Sequence, residues 1–343
     1  MNIPEFRTPE EPRFPGERPL ANRGQQPPAE RRLADRRAGQ RRTSRAVTPL
    51  EGTPVATDDP LGFPLSPRQL DACVRAALHE DGAFSDVTAI ACVVSTRRAH
   101  GTIVARRAGV IAGVPLAIAA FRILDPNVAI RVDVEDGDEV DEGSVIFRIS
   151  GLARAMLSAE RVALSFLQRL SGVATLTARY VRAAYGTGVE ICDGPNTTPG
   201  LRALERYAVR AGNRRSTSAA RAARVQIREN HLAAMSGDIA GAVRRARELA
   251  PADASISVAC RSAADVRAAM DAGADVVTFD ALNPAQLREC VEVARGRVLT
   301  EISGAFGPDA VRELAATGVD RLAISPLTHG APVVDFALEF EAM

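Results

Sequence analysis

The 343-residue sequence contains no lysine, so all 43 of its basic residues are arginines. That absence excludes Schiff-base chemistry, lipoyl or biotinyl attachment and any lysine point-charge clamp, because each needs the ε-amino group. Cysteine is sparse. Cys73, Cys92, Cys192, Cys260 and Cys290 are far apart and form no CxxC, which favours a reduced, cytoplasmic setting without a cysteine metal site. Each reads as a small buried hydrophobe. Long apolar runs are missing as well. The longest, Val110 to Phe121, lies between arginines and is too short to span a bilayer, so no membrane insertion is expected. The N-terminus carries arginines without the apolar core of a secretory signal.

With 46% hydrophobic residues, the chain can bury one large core or two moderate ones. Residues 1–62 stand apart: rich in Pro, Arg, Glu and Gln and without apolar periodicity, they read as a disordered tail. Within them the pairs Arg31-Arg32, Arg36-Arg37 and Arg41-Arg42 offer a contact for a protein or anionic partner, unless the tail is only a solvated extension. From Ser66 the chain becomes globular. Residues 67–79 read as a capped helix with Leu70, Cys73, Val74 and Ala77 on its apolar side. Strand-like runs at 101–106, 128–134 and 144–149 make an α+β half, and a helical stretch over 153–182 leads onward.

The second half alternates. Strand patterns at 188–193, 224–228, 255–260, 275–280, 297–302 and 321–325 are separated by helical ones at 237–249, 263–272, 284–294 and 308–317. Such units imply a parallel sheet with right-handed crossovers. Without a GxGxxG fingerprint, barrel-like closure is favoured, and in barrels chemistry sits where strands end. Here those ends carry Asp193, Arg228-Glu229-Asn230-His231, Asp280, Glu301-Ile302-Ser303-Gly304 and Thr328-His329.

Several of these stretches resemble the quinolinate phosphoribosyltransferase (nicotinate-nucleotide pyrophosphorylase) family. The run from Ser158 to Thr175 is similar to ERVALNFLQRLSGIAT, and Thr197 to Arg202 reads TTPGLR. Ile227 to His231 resembles IKDNH, Thr300 to Gly304 resembles LEASGG, and Leu327 to His329 resembles ALTHS. The resemblance implies an open α/β sandwich over 63–165, completed by 332–343, and a six-stranded incomplete α/β barrel over 166–331. It implies transfer of phosphoribosyl from its pyrophosphate to quinolinate, with Mg²⁺, in NAD synthesis. It also implies a homodimer or larger assembly, with Arg161 at the subunit interface and lent to the neighbour's site. Carried onto this chain, the catalytic positions are Arg161, Arg228, Asp280 and Glu301. Those binding substrate or phosphate are Thr197, His231, Ser303, Gly304, Ser325 and His329, with Asp280 as the Mg²⁺ ligand.

The pattern also breaks. Where the family reads DTRKTTPG, this chain reads Asp193-Gly-Pro-Asn-Thr-Thr-Pro-Gly200, so an arginine has become Pro195 and a lysine Asn196. The histidine and arginine of NHR align with Thr217 and Ser218, the glutamate of EVEV is Ala259, and the glycine of SVGALTHS is Ser325. A site for a pyridine dicarboxylate and a pyrophosphate needs several convergent cations. Three readings follow: a catalytically degenerate member kept as scaffold, regulator or assembly partner; a transferase with a redirected substrate; or a working enzyme in which Arg214, Arg215, Arg221 or Arg224 replaces the lost charge. A hetero-oligomer with an intact homologue is a further expectation, since a chain that only lends Arg161 is free to lose its own pocket.

Overall fold

Ser66 starts the first helix by a reciprocal cap: its Oγ accepts the Gln69 amide while the Gln69 side chain accepts the Ser66 amide, with Pro67 in the first turn. This helix, α1 (Pro67–Glu80), buries Val74 and Leu78. The computed structural model describes residues 61–213, 224–280 and 282–343. The paired arginines of the tail, Thr217 and Ser218, and Arg214, Arg215 and Arg221 lie outside the described residues.

After α2 (Val87–Cys92) come β1 (Arg98–Ala105), β2 (Gly109–Val110), α3 (Val114–Leu124), β3 (Ala129–Val132), β4 (Glu139–Val140) and β5 (Val145–Leu152). Helix α4 (Ala153–Ala183) follows without a break across residue 165. The apolar run at 110–121 therefore becomes a helix, α3, that buries Leu116, Ala117, Ala120 and Phe121. The second half supplies β6 (Glu190–Asp193), α5 (Arg202–Gly212), β7 (Arg224–Ile227), α6 (Glu229–Ala234), α7 (Ile239–Leu249) and β8 (Ser255–Ala259). It continues with α8 (Ala263–Asp271), β9 (Val276–Phe279), α9 (Pro284–Ala294), β10 (Leu299–Gly304), α10 (Val311–Ala315), β11 (Arg321–Ile324), α11 (Pro326–His329) and β12 (Phe336–Ala342).

Two main sheets result. One has the order β12-β1-β5-β3 with antiparallel pairing, so the last strand of the chain joins the first half. The other has the order β6-β11-β10-β9-β8-β7, entirely parallel, as the alternating pattern requires. Its edge strands β6 and β7 do not pair with each other, which leaves the barrel incomplete, and α5 connects them. No helix among the described residues is long and apolar enough to cross a membrane.

The expected helix at 308–317 breaks into a 3₁₀ turn, Pro308–Ala310, and the short α10, because the Ala310 amide bonds back to the Gly307 carbonyl at 3.1 Å. Ser303 and Gly304 end β10 instead of forming a turn before a helix.

Helix α4 packs its neighbours at two glycines. A Cβ at Gly172 would stand 2.2 Å from the Pro332 carbonyl oxygen, and one at Gly212 the same distance from the Ala174 oxygen. Backbone cannot yield as a flexible side chain does, so Gly172→Ala or Gly212→Ala should cost about 1–3 kcal/mol or more. Urea unfolding midpoints would show it, and wild-type values for both variants would mean that the helices separate freely.

The cysteines differ in access. Cys92 is exposed and Cys260 buried. Burial, with smaller contributions from Asp265 and Cys290, pushes the Cys260 thiol up to about 12. A maleimide at pH 8 should therefore label Cys92 in the native protein and leave Cys260 untouched until denaturant is added. Mass mapping after partial labelling checks this.

Candidate active site in the barrel

Period-two alternation on the barrel strands decides which residues meet inside. Ala259, Thr278 and Glu301 stand in register on β8, β9 and β10, and Ser303, Ala323 and Cys192 form a second level on β10, β11 and β6. All six line one cavity of about 740 Å³ at the C-terminal ends of the strands. Asp193, Gly194, Pro195 and Asn196 continue its wall beyond β6, Gln226 to Asn230 close it beyond β7, and Asp280, Gly304 and Ser325 complete the rim. Ser325 crowds Gly194: a Cβ at Gly194 would lie 2.8 Å from the Ser325 Cα, so this close approach of the strand ends requires glycine.

The charges on this wall balance. Arg202, Arg206, Arg210 and Arg228 face Asp193, Glu229, Asp280 and Glu301, one for one among the described lining residues. The arginines also have partners within the chain. Arg206 Nε pairs with Asp193 Oδ2 at 3.1 Å, Arg202 Nε donates to Thr197 Oγ1 at 3.1 Å, and Arg228 Nη2 donates to Gln226 Oε1 at 3.0 Å. Arg210 donates to the carbonyls of Leu61 and Gly62 and lies 5.6 Å from the Tyr207 ring centre. Glu229 is clasped by Arg261 through contacts of 2.7 and 2.5 Å. That hydrogen-bonded pairing holds the Glu229 carboxyl below its ordinary value and the Arg261 guanidinium above its own, with Asp280 adding a smaller push on Arg261.

The structure gathers Pro195, Asn196, Arg228, Ala259, Asp280, Glu301, Ser303, Gly304 and Ser325 on this cavity. It places the other expected site residues elsewhere. Thr197 accepts from Arg202 outside the cavity wall. His231 turns its Nδ1 to the Arg228 amide at 3.0 Å and so caps α6, a structural use that its place beside Asn230 concealed. His329 is exposed, and its neighbour Thr328 is the one that reaches inward, donating from Oγ1 to the Asn196 carbonyl. Arg161 lies on α4, away from the barrel cavity, with its side chain 80% exposed. It pairs with Asp81 at 3.1 Å beside a second cavity of about 600 Å³, which Asp86, Ser158 and Glu160 also line. There, amide and hydroxyl donors from Ala89 and Ser158 lower the Asp86 carboxyl, while burial raises Glu160.

Arg202, Arg206 and Arg210 of α5 also line this cavity, and of the three only Arg202 falls within a stretch named above. Their signal was the four-residue spacing, which puts all three on one helical face. Glu205, fully buried and without a role assigned from sequence, accepts from Arg169 Nη2 at 2.7 Å, the Thr198 amide at 2.9 Å and Thr198 Oγ1 at 2.7 Å. Arg169 donates onward to the carbonyls of Thr328 and Ala331, tying the loop after β6 to α4 and α11.

For Mg²⁺ the residues fit only in part. Among the described residues no group of three His, Cys, Asp or Glu side chains could hold a metal by itself. Mg²⁺ commonly takes one or two carboxylates and finishes its shell with water and substrate phosphates, and Asp280, just past the end of β9 on the cavity wall, suits that use.

Known proteins place the chain. Residues 86–171 match the family model for the quinolinate phosphoribosyl transferase N-terminal domain, and residues 173–339 that for the C-terminal domain. A probable nicotinate-nucleotide pyrophosphorylase (carboxylating) of Bacillus subtilis is 35% identical over 271 residues, covering 79% of this chain and 93% of that protein. The Mycobacterium leprae nicotinate-nucleotide pyrophosphorylase is 34% identical over 80% of this chain and 99% of its own length. Among solved structures, NadC from Streptococcus pyogenes superposes with a TM-score of 0.74 at 31% identity, covering 81% of this chain and 99% of that one. The fold, the matched domains and these relatives agree: the chain belongs to the quinolinate phosphoribosyltransferase family.

Proposed function

We propose that this protein is a family member whose barrel pocket does not carry out the phosphoribosyl transfer named by its relatives, and that it serves in the cytoplasm as a scaffold, regulator or assembly partner. The supporting observation is the charge balance of the cavity. A dicarboxylate and a pyrophosphate together bring several negative charges, and their binding needs a surplus of directed cations. The described wall offers as many carboxylates as arginines. Where the family motif carries cations, this wall has Pro195 and Asn196. Arg161, exposed on α4 and paired there with Asp81, would serve at an interface with a second copy or with an intact homologue.

A second reading is favoured by the cavity itself: Asp280, Glu301 and Ser303 remain on one wall formed by the adjacent strands β9 and β10, as a transferase with a redirected substrate would keep them. Under that reading Mg²⁺ would enter on substrate phosphates beside Asp280. Calorimetric titration with quinolinate, and separately with Mg²⁺–phosphoribosyl pyrophosphate, tests the first reading. No heat from either ligand is expected. Micromolar binding of both would show that other arginines have replaced the lost ones.

A further inference from the structure

Arg202, Arg206 and Arg210 recur every fourth residue of α5 and all three line the barrel cavity, while Leu204, Tyr207, Ala208 and Ala211 bury the helix against the core. Like charges at this spacing repel, and Asp193 offsets only Arg206, so a further anion beside Arg202 and Arg206 would relieve the repulsion. Each guanidinium carries five N–H donors. Arg202 and Arg206 each commit one Nε–H, to Thr197 and Asp193, in the bonds formed among the described residues. Arg210 is drawn back toward Leu61 and Gly62 and supports the other two from behind.

We propose that Arg202 and Arg206 form a single-anion subsite on the α5 side of the cavity, which takes a small molecule carrying one carboxylate or one phosphate monoester. The inference rests on the reading above that the family's own anion positions are lost. It moves the anchoring charge from the loop after β6 into the first two turns of α5. The rest of the wall limits the ligand to one anionic group. Among the described lining residues, Asp280 just past β9 and Glu301 within β10 repel a second one, whereas Asn196, Ser257, Thr278 and Ser303 offer neutral hydrogen bonds to its body. Asp193 competes with the ligand for Arg206, at 3.1 Å from its Nε. This competition gives the proposal an effect of opposite sign to test.

Titrate the full chain at low salt with inorganic phosphate and, separately, with nicotinate, the two arms distinguishing phosphate from carboxylate recognition. One of them should bind. R202Q/R206Q should weaken it about tenfold or more, as expected for lost charge-assisted bonds. D193N should tighten it several-fold, because the competing carboxylate is gone, and R295Q, which removes an exposed arginine paired with Glu292 outside the cavity wall, should stay close to wild type. Failure of both ligands to bind the wild-type chain, unchanged affinity in R202Q/R206Q, or weaker or unchanged binding in D193N would each overturn the subsite. Should the double variant not fold, the direction of the D193N effect decides alone. Turnover of quinolinate would sink the function proposed above without bearing on these affinities, so the two failures are separable.

Discussion

Given quinolinate and Mg²⁺–phosphoribosyl pyrophosphate, the purified protein should release pyrophosphate at least about a thousandfold more slowly than a relative that keeps the motif cations. A charge-assisted hydrogen bond contributes roughly 1.5–3 kcal/mol, so the cations missing at positions 195, 196 and 218 together represent on the order of 5–9 kcal/mol. At about 1.4 kcal/mol per decade that is a thousandfold to a millionfold. The arginines on the wall do not restore it without cost. Turning Arg206 to a substrate would strip Asp193 of its partner, and Arg228 is bonded to Gln226. A coupled assay for inorganic pyrophosphate measures the rate. Turnover within tenfold of an intact relative would refute the degenerate reading. Pro195→Arg combined with Asn196→Lys gives a second arm, since raised affinity for phosphoribosyl pyrophosphate is expected if charge is what the pocket lacks.

Glu205→Ala should destabilise the protein by about 3–5 kcal/mol, the cost of leaving a buried charge without its partner. Glu205 is inaccessible to solvent and Arg169 largely so, with side-chain exposures of 0% and 25%. Removing the carboxylate strands the Arg169 guanidinium, and it also orphans the Thr198 amide and hydroxyl. In a protein of this size the melting temperature should fall by on the order of 10 °C. Thr198→Ala, which leaves the ion pair in place, should cost much less. Equal losses in the two variants would mean that the hydroxyl contact, not the charge pairing, holds the loop after β6. Because this node sits directly behind Asn196, the stability of the fold and the shape of the cavity mouth are coupled through it.

The barrel was legible because its units repeat: each apolar β-branched run such as Val276–Phe279 is followed by an amphipathic helix, and both patterns are strong. The last strand was not legible from pattern. Phe336–Ala342 alternates, but its outward positions are acidic and it ends the chain, so only the family resemblance indicated a return to the first half. Within the site, residues on strand ends were placed together by register alone, as with Ala259, Thr278 and Glu301. Residues on the connecting segments were harder. Whether His231 lines the cavity or caps its own helix depends on one rotamer, and Thr328 rather than His329 faces inward because of a single turn of α11. The arginines of α5 carry no signal of a site, because in sequence they are a charged helical face like any solvated one, and only the fold sets that face on the cavity wall.

The pairing of β1 with β12 has a consequence for biosynthesis. Arg97 donates to the Met343 carbonyl across a separation of 246 residues, and Ala99 is in register with Ala342. During translation the ribosome releases the barrel segments before β12 emerges, so one edge of β1 stays unpaired while the parallel sheet has all its strands. The nascent chain thus displays a sheet edge, the kind of surface that invites mispairing, until β12 has been made. A chain lacking β12 would keep that edge permanently.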